Sequence, residues 1–167
     1  MNDVAPLKLA AGVKVTRLPD IGWGRCVIKT ISLLPNVLAR QTAKEQGAYE
    51  AFLVDQEGLV TEGAASNAWI VDADGVLRTR DLGANILRGV TRRSLADLAR
   101  EAGLTVEERA FTVAEAKGAR EVFLTGAGSL IMPVVRIDQQ IIGDGRPGPV
   151  ANRLRALYIQ HGRKSAI

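Results

Sequence analysis

Cysteine is almost missing from this chain. Cys26 stands alone among 167 residues, which excludes an internal disulfide and a thiolate metal cluster. A lone thiol suits a reducing compartment, the cytoplasm, and reads as core filler rather than as a reactive group. Histidine is equally scarce: His161 is the single one. It is expected in a polar tail beyond the last helix, exposed rather than a catalytic base, and no metal site is expected. Aromatic residues make up only 4% of the chain, too few for the stacking platforms of single-strand nucleic-acid binders, and no nucleic-acid module is visible. The 22 basic residues exceed the 18 acidic ones by only four and are scattered; Arg88, Arg92 and Arg93 alone cluster. No apolar run approaches bilayer length, and Met1-Asn2-Asp3-Val4-Ala5-Pro6 lacks the charged flank and apolar core of a signal peptide. Internal repeats and low-complexity tracts are absent too. What remains, 47% hydrophobic and 24% charged, is the composition of one globular domain long enough to bury a core.

One stretch breaks its own pattern. Arg25-Cys26-Val27-Ile28-Lys29-Thr30-Ile31-Ser32-Leu33-Leu34 reads as a buried strand of β-branched and apolar residues, with Lys29 on the same face as Arg25, Val27 and Ile31. An ammonium there has two explanations. It snorkels from an edge strand, or it is desolvated, its pKa lowered toward neutrality, and serves as an amine that forms a Schiff base with a carbonyl.

Along the chain, Val13-Lys14-Val15-Thr16 alternates as a strand that Pro19-Asp20 breaks. Pro35-Asn36 ends the Lys29 strand, and a helix follows from Val37 to a stop at Gly47. The strands at 51–54, 59–61, 68–71 and 76–79 read as a meander. An amphipathic helix over 94–103 turns Leu95, Leu98, Ala99 and Ala102 to one face, and a strand covers 104–110. Thr112-Val113-Ala114-Glu115 has capping-box spacing for a short helix ending near Gly118. Strands are expected at 121–125, 130–135 and 136–142, then a break through Gly143 to Pro149, and a last helix over 150–159 that buries Leu154, Leu157 and Tyr158.

Glu62 precedes Gly63-Ala64-Ala65-Ser66-Asn67 between two strands. Small residues let a planar ligand come close, and the carboxylate suits a cationic ring nitrogen; a solvated glutamate in a surface loop is the plainer reading. Gly89-Val90-Thr91 leads into the amphipathic helix, where free amides, a hydroxyl and the helix dipole suit a phosphate, or where Thr91 simply caps the helix. Gly126-Ala127-Gly128-Ser129 is a flexible turn able to bring amides near an anion.

A strand lysine, a carboxylate beside small residues and a phosphate-type helix start are together what one pyridoxal 5′-phosphate requires. In this order the motifs are also familiar. Arg25 to Lys29, Leu33-Leu34-Pro35-Asn36-Val37-Leu38-Ala39, Gly47-Ala48-Tyr49-Glu50-Ala51, Thr61-Glu62-Gly63, Ser66-Asn67, Asn85-Ile86-Leu87, Gly89-Val90-Thr91-Arg92 and Gly143-Asp144-Gly145 resemble the class IV (fold-type IV) aminotransferases over almost the whole chain, and the D-amino acid aminotransferases most of all.

The resemblance implies an α+β fold, a mixed strand pseudobarrel with helices around it. Residues 12–160 would be the cofactor-binding large domain, 1–11 an extension or interdomain remnant and 161–167 a tail, with the family's smaller domain absent. It implies that Lys29 binds the cofactor aldehyde and shuttles a proton at the substrate α-carbon, and that Glu62 keeps the pyridine nitrogen protonated. Leu87 would pack on a ring face, and Gly89, Val90 and Thr91 would hold the phosphate. Ala127 stands where relatives carry a hydroxyl, so a phosphate contact there must come from backbone; Gly22 stands where close relatives carry arginine before Trp23. The implied reaction is transfer of an amino group from a D-amino acid such as D-alanine to 2-oxoglutarate, in a homodimer that binds neither membrane nor nucleic acid. A branched-chain aminotransferase, an aminodeoxychorismate lyase and a non-catalytic cofactor-binding or dimerisation module are the alternatives. Without the smaller domain and its phosphate-binding arginine, the chain alone is expected to fold, to bind pyridoxal phosphate weakly or not at all, to associate, and to show no appreciable transamination.

Overall fold

A computed structural model describes residues 6–22, 31, 33–83, 86–87 and 89–164. The stretch carrying Trp23, Cys26 and Lys29 therefore lies outside the described residues, as do Asn85 and Arg88. The described elements run α1 (Pro6–Ala11), β1 (Val13–Pro19), α2 (Leu34–Glu45), β2 (Glu50–Val54), β3 (Val60–Gly63), β4 (Asn67–Val71), β5 (Leu77–Thr79), α3 (Val90–Glu101), β6 (Val106–Glu108), α4 (Val113–Gly118), β7 (Glu121–Gly126), β8 (Leu130–Ile137), β9 (Gln140–Ile141) and α5 (Pro149–Lys164).

The strands form one mixed sheet in the order β3-β2-β1-β8-β7-β4-β5-β6, with β9 added to β8. β1 runs parallel to both β2 and β8, and β5 parallel to β6; the remaining pairs are antiparallel. With helices against it, the fold is α+β, as expected. The meander expected through 51–79 is interrupted: β2–β3 and β4–β5 are hairpins, but β4 pairs with β7 rather than with β3. β3 and β4 nonetheless meet end to end at the short connection over 64–66, where the Gly63 N–H donates to the Ser66 carbonyl at 2.7 Å.

Period-two alternation separates two of the three core clusters of the described residues. On β4 and β7, Ala68, Ile70, Val122 and Leu124 point into one cluster with Val13, Phe52, Met132 and Ile137, while Trp69, Val71 and Phe123 point into another with Leu95 and Ala99 of α3 and Leu154 of α5. All five residues of β4 are consequently buried. Trp69 stacks on Phe123 with ring centroids 5.8 Å apart and donates its Nε1–H to Thr125 Oγ1 at 2.9 Å.

Several boundaries differ from the sequence reading, each for a local reason. Leu34 belongs to α2, and Pro35 lies in its first turn, where a missing N–H costs nothing, rather than ending a strand. Ile31, expected to be buried with that strand, is 97% exposed. The helix ends as expected, with Gly47 at φ +67°. Residues 130–137 form one strand, because Asp138 at φ +54° rather than Arg136 makes the turn into β9. α5 continues to Lys164, so His161 lies inside the helix and not in a tail beyond it. The capping box is present in full: Thr112 Oγ1 accepts from Glu115 N–H at 3.1 Å, and Glu115 Oε2 accepts from Thr112 N–H at 2.8 Å. The cluster expected of Arg88, Arg92 and Arg93 does not stand on the surface as a unit, since Arg92 is 2% exposed. Its Nη2 donates to Glu108 Oε2 at 2.9 Å and to the Arg80 carbonyl at 2.6 Å, while its guanidinium carbon lies 6.0 Å from the Trp69 ring centre. Burial pushes the Glu108 carboxyl up, but the hydrogen bonds from Arg100 and Arg92 outweigh it and hold the group below its ordinary range.

Candidate active site

Glu62 is part of β3 and buried, which removes the reading of a solvated loop glutamate. Its Oε2 accepts from the Leu87 amide at 3.2 Å and from Asn67 Nδ2 at 3.4 Å. Asn67 opens β4 and also donates Nδ2–H to the Leu87 carbonyl at 3.1 Å. The carboxylate on β3, the first residue of β4 and the segment leading into α3 are thereby drawn together from positions far apart in sequence.

α3 starts at Val90, with Gly89 as its N-cap in extended backbone (φ −60°, ψ 134°) and no side-chain cap. Thr91 is therefore not the cap; it is buried inside the first turn. The first intrahelical bond runs from Arg93 N–H to the Gly89 carbonyl at 3.1 Å, so the amides of Val90, Thr91 and Arg92 are those that a helix start offers to an anion. The Gly89 amide points elsewhere, to the Leu87 carbonyl at 2.8 Å. Gly89 has a steric role instead, because a Cβ there would overlap Asn67 Oδ1. The turn after β7 is adjacent: a Cβ on Gly126 would stand 3.3 Å from the Ala65 carbonyl and 3.8 Å from Ser66 Cβ, and Thr125 pairs with Asn67 across the β4–β7 ladder. Ala127 itself is an exposed residue of that turn. Of the residues singled out from sequence, Glu62, Leu87, Gly89, Val90 and Thr91 are thus brought to one place with the 126–129 turn beside it. Lys29 lies outside the described residues.

Two contributors escaped the sequence reading. Asn67 appeared only as part of a motif. Glu50, at the head of an apolar strand, is 5% exposed and holds the 64–66 connection: Oε1 accepts from Ala65 N–H at 2.5 Å and Oε2 from Ser66 Oγ at 3.1 Å. Burial raises its carboxyl above the ordinary value of 4.5, against the lowering effect of those two donors and of Arg40. In sequence Glu50 also stood only within a motif, Gly47-Ala48-Tyr49-Glu50-Ala51, as a carboxylate opening an apolar run. Because the folded chain holds this proton more tightly than the unfolded chain, Glu50 costs stability as pH rises from the ordinary carboxylate value through its raised one. Glu50→Gln carries no such cost. Its thermal midpoint is expected to gain on that of the unaltered chain between about pH 4.5 and neutrality, with the two converging at lower pH; a constant offset across a pH series of melts would contradict this.

A buried carboxylate that accepts from Asn67 on β4 and from the segment leading into a helix start has the chemistry suited to a ligand with a protonated nitrogen at one end and an anion at the other. The chain belongs to the amino-transferase class IV family, whose model matches residues 2–137. It is 41% identical over 144 residues to D-alanine aminotransferase of Bacillus licheniformis, covering 86% of this chain and 50% of that protein. It is 37% identical over 147 residues to the enzyme of the same name from Staphylococcus haemolyticus, covering 88% and 51%. Among solved structures, the T.th. branched-chain amino acid aminotransferase with pyridoxamine 5′-phosphate superposes with a TM-score of 0.84 at 32% identity, covering 94% of this chain and 52% of that one. The PLP form of the Thermobaculum terrenum branched-chain enzyme gives 0.83 at 30%, covering 95% and 53%. The fold is accordingly that of the large domain of fold-type IV aminotransferases. The chain spans about half the length of the curated relatives it matches.

The residues present fit pyridoxal phosphate. The donor set is right for it, with a buried carboxylate acceptor at Glu62, helix-start amides and a hydroxyl at Val90 and Thr91, and an apolar side chain at Leu87 between them in sequence. No helix of the described residues is long and apolar enough to cross a membrane.

Proposed function

We propose that this chain binds pyridoxal 5′-phosphate and, in the whole protein, serves amino-group transfer between a D-amino acid and a 2-oxo acid, D-alanine and 2-oxoglutarate being the expected pair. The observation that carries this reading is the buried Glu62 carboxylate, bonded to Leu87 and Asn67 immediately before a helix start whose cap is glycine. When bound, the cofactor supplies an aldehyde for the amino group and an electron-accepting ring. Glu62 would hold a proton on the ring nitrogen, since a carboxylate in a low-dielectric setting favours the cationic partner. Val90 and Thr91 would bind the phosphate through their amides and the threonine hydroxyl, and the backbone around Ala127 would add to that cup. Leu87 would orient the ring by packing on it. Lys29 would bind the aldehyde and would hold or move the proton at the substrate α-carbon. The 12–160 boundaries of the cofactor-binding domain, a homodimeric state and a cytoplasmic location belong to the same proposal; the lone Cys26 supports the last.

A branched-chain specificity is the second reading, favoured by the TM-scores of 0.84 and 0.83 to the branched-chain enzymes. The identity of 41% to a D-alanine aminotransferase favours the first. Borohydride reduction in the presence of pyridoxal phosphate, followed by peptide mapping, should place the label on Lys29; label on Lys14 or Lys44 would refute the assignment. In the chain completed to the length of its relatives, amino transfer from D-alanine but not from L-leucine is the expected outcome, and the reverse preference would decide for the second reading.

A further inference from the structure

We infer that Asn67 is a positioning residue, whose side-chain amide locks the Glu62 carboxylate onto the segment that leads into α3 before any ligand arrives. The inference rests on the reading of Glu62 as partner of a ring nitrogen, but the clamp itself is made of this chain's own groups. Asn67 Nδ2 donates to two acceptors, Leu87 O at 3.1 Å and Glu62 Oε2 at 3.4 Å, and Leu87 N–H donates to that same carboxylate oxygen at 3.2 Å. The result is a closed triangle of three residues in which Glu62 Oε2 takes two donors and Leu87 O, which also accepts from Gly89 N–H at 2.8 Å, takes two as well.

The other half of the amide is committed too, since its Oδ1 occupies the space that a Gly89 side chain would need. Asn67 is 6% exposed, and its backbone is fixed by pairing with Thr125 on β7. A glutamate on a strand has free side-chain torsions; two donors on one oxygen remove that freedom, so the carboxylate need not reorganise when a cation is presented to it. Glutamate orientation and helix-start position then become one rigid unit instead of two independent ones. No residue of similar size substitutes. Aspartate has the shape but no hydrogen to donate, and it would set a carboxylate against both Glu62 and the Leu87 carbonyl.

The test needs no cofactor. Amide hydrogen exchange is followed by NMR at Leu87, which reports the triangle, and at Trp69, which reports the core. Asn67→Asp is expected to speed exchange at Leu87 at least tenfold while Trp69 stays within about twofold. Adding Glu62→Gln, which relieves the clash of the two carboxylates but leaves the introduced one facing the Leu87 carbonyl, should slow exchange at Leu87 at least about threefold from the Asn67→Asp value. Rescue of that kind would not follow from mere packing. If exchange at Leu87 is unchanged, if Trp69 accelerates equally, or if the double replacement is no slower than Asn67→Asp, the positioning role is overturned. Should the aspartate chain not fold, Asn67→Ala and Gly89→Ala decide: each alone should loosen Leu87, and the two together should do no more than Asn67→Ala, whereas additive effects would overturn the clamp. Failure of Lys29 to label with pyridoxal phosphate would sink the cofactor reading and leave these exchange rates untouched, so the two ideas fail separately.

Discussion

Replacing Glu62 with glutamine, in the chain completed to the length of its relatives, is expected to lower the rate of amino transfer from D-alanine by about two to three orders of magnitude while pyridoxal phosphate stays bound. The magnitude is that of losing one preorganised electrostatic partner at a reacting centre. Glutamine keeps the size and can still accept from Leu87 and Asn67, so the triangle around residue 62 survives. What disappears is the negative charge that favours a protonated ring nitrogen, and with it the ring's capacity to draw electrons. The phosphate contacts proposed for Val90 and Thr91 are untouched, so the loss should fall on kcat and little on cofactor affinity. Steady-state kinetics with a separate titration of pyridoxal phosphate separates the two. Turnover within threefold of the unaltered enzyme would refute the role given to Glu62.

The largest expected change in stability comes from Trp69→Ala. Trp69 is fully buried, stacks on Phe123, donates to Thr125 and lies beneath the buried Arg92 guanidinium. Truncating it opens a cavity between β4 and α3 and leaves the Thr125 hydroxyl without its donor, a loss of about 3–5 kcal/mol. Domains of this kind hold only about 5–15 kcal/mol in all, so the thermal midpoint should fall by roughly 10–15 °C. A fall of less than about 4 °C would mean that the site collapses around the gap. Trp69→Phe, which keeps most of the volume and loses only the indole donor, should cost no more than about a third as much. Chemical denaturation of the three chains side by side checks both expectations.

Features confined to one stretch of chain were legible from sequence. The Thr112–Glu115 capping box and the Gly47 helix stop need only neighbours within a turn, and both are present. The convergence of Glu62 with the helix start at Val90 was legible as a resemblance to a family, because its motifs come in a fixed order. Burial of Glu62 was not, since it depends on a strand that ends beside Asn67 and on Leu87, which lies 25 residues onward. Pro35 misled because proline is permitted in the first turn of a helix as well as at a strand end. His161 was misplaced because residues 160–164, Gly162 among them, show no apolar periodicity to follow, yet a helix with Leu154 already packed continues through them. Arg92 read as surface charge because nothing local announces the Glu108 carboxylate and Arg80 carbonyl that let it be buried.

The long helix α5 is fastened to the sheet at two places. Glu121 of β7 accepts from the amides of Val150 and Ala151, both at 2.9 Å, and Arg155 donates to the carbonyls of Ser129 and Ile131 at 2.9 and 3.0 Å. Those carbonyls flank the end of the turn that contains Ala127, so a helix with no ligand-contacting role in the proposed reading holds in place the turn which that reading assigns to the phosphate. For anyone grafting segments between members of this family, the helix is therefore not an interchangeable end piece. A hybrid that exchanges residues 149–164 while keeping the recipient's own β7 inherits a mismatched fastening, and Glu121 and Arg155 have to travel together with the turn they secure.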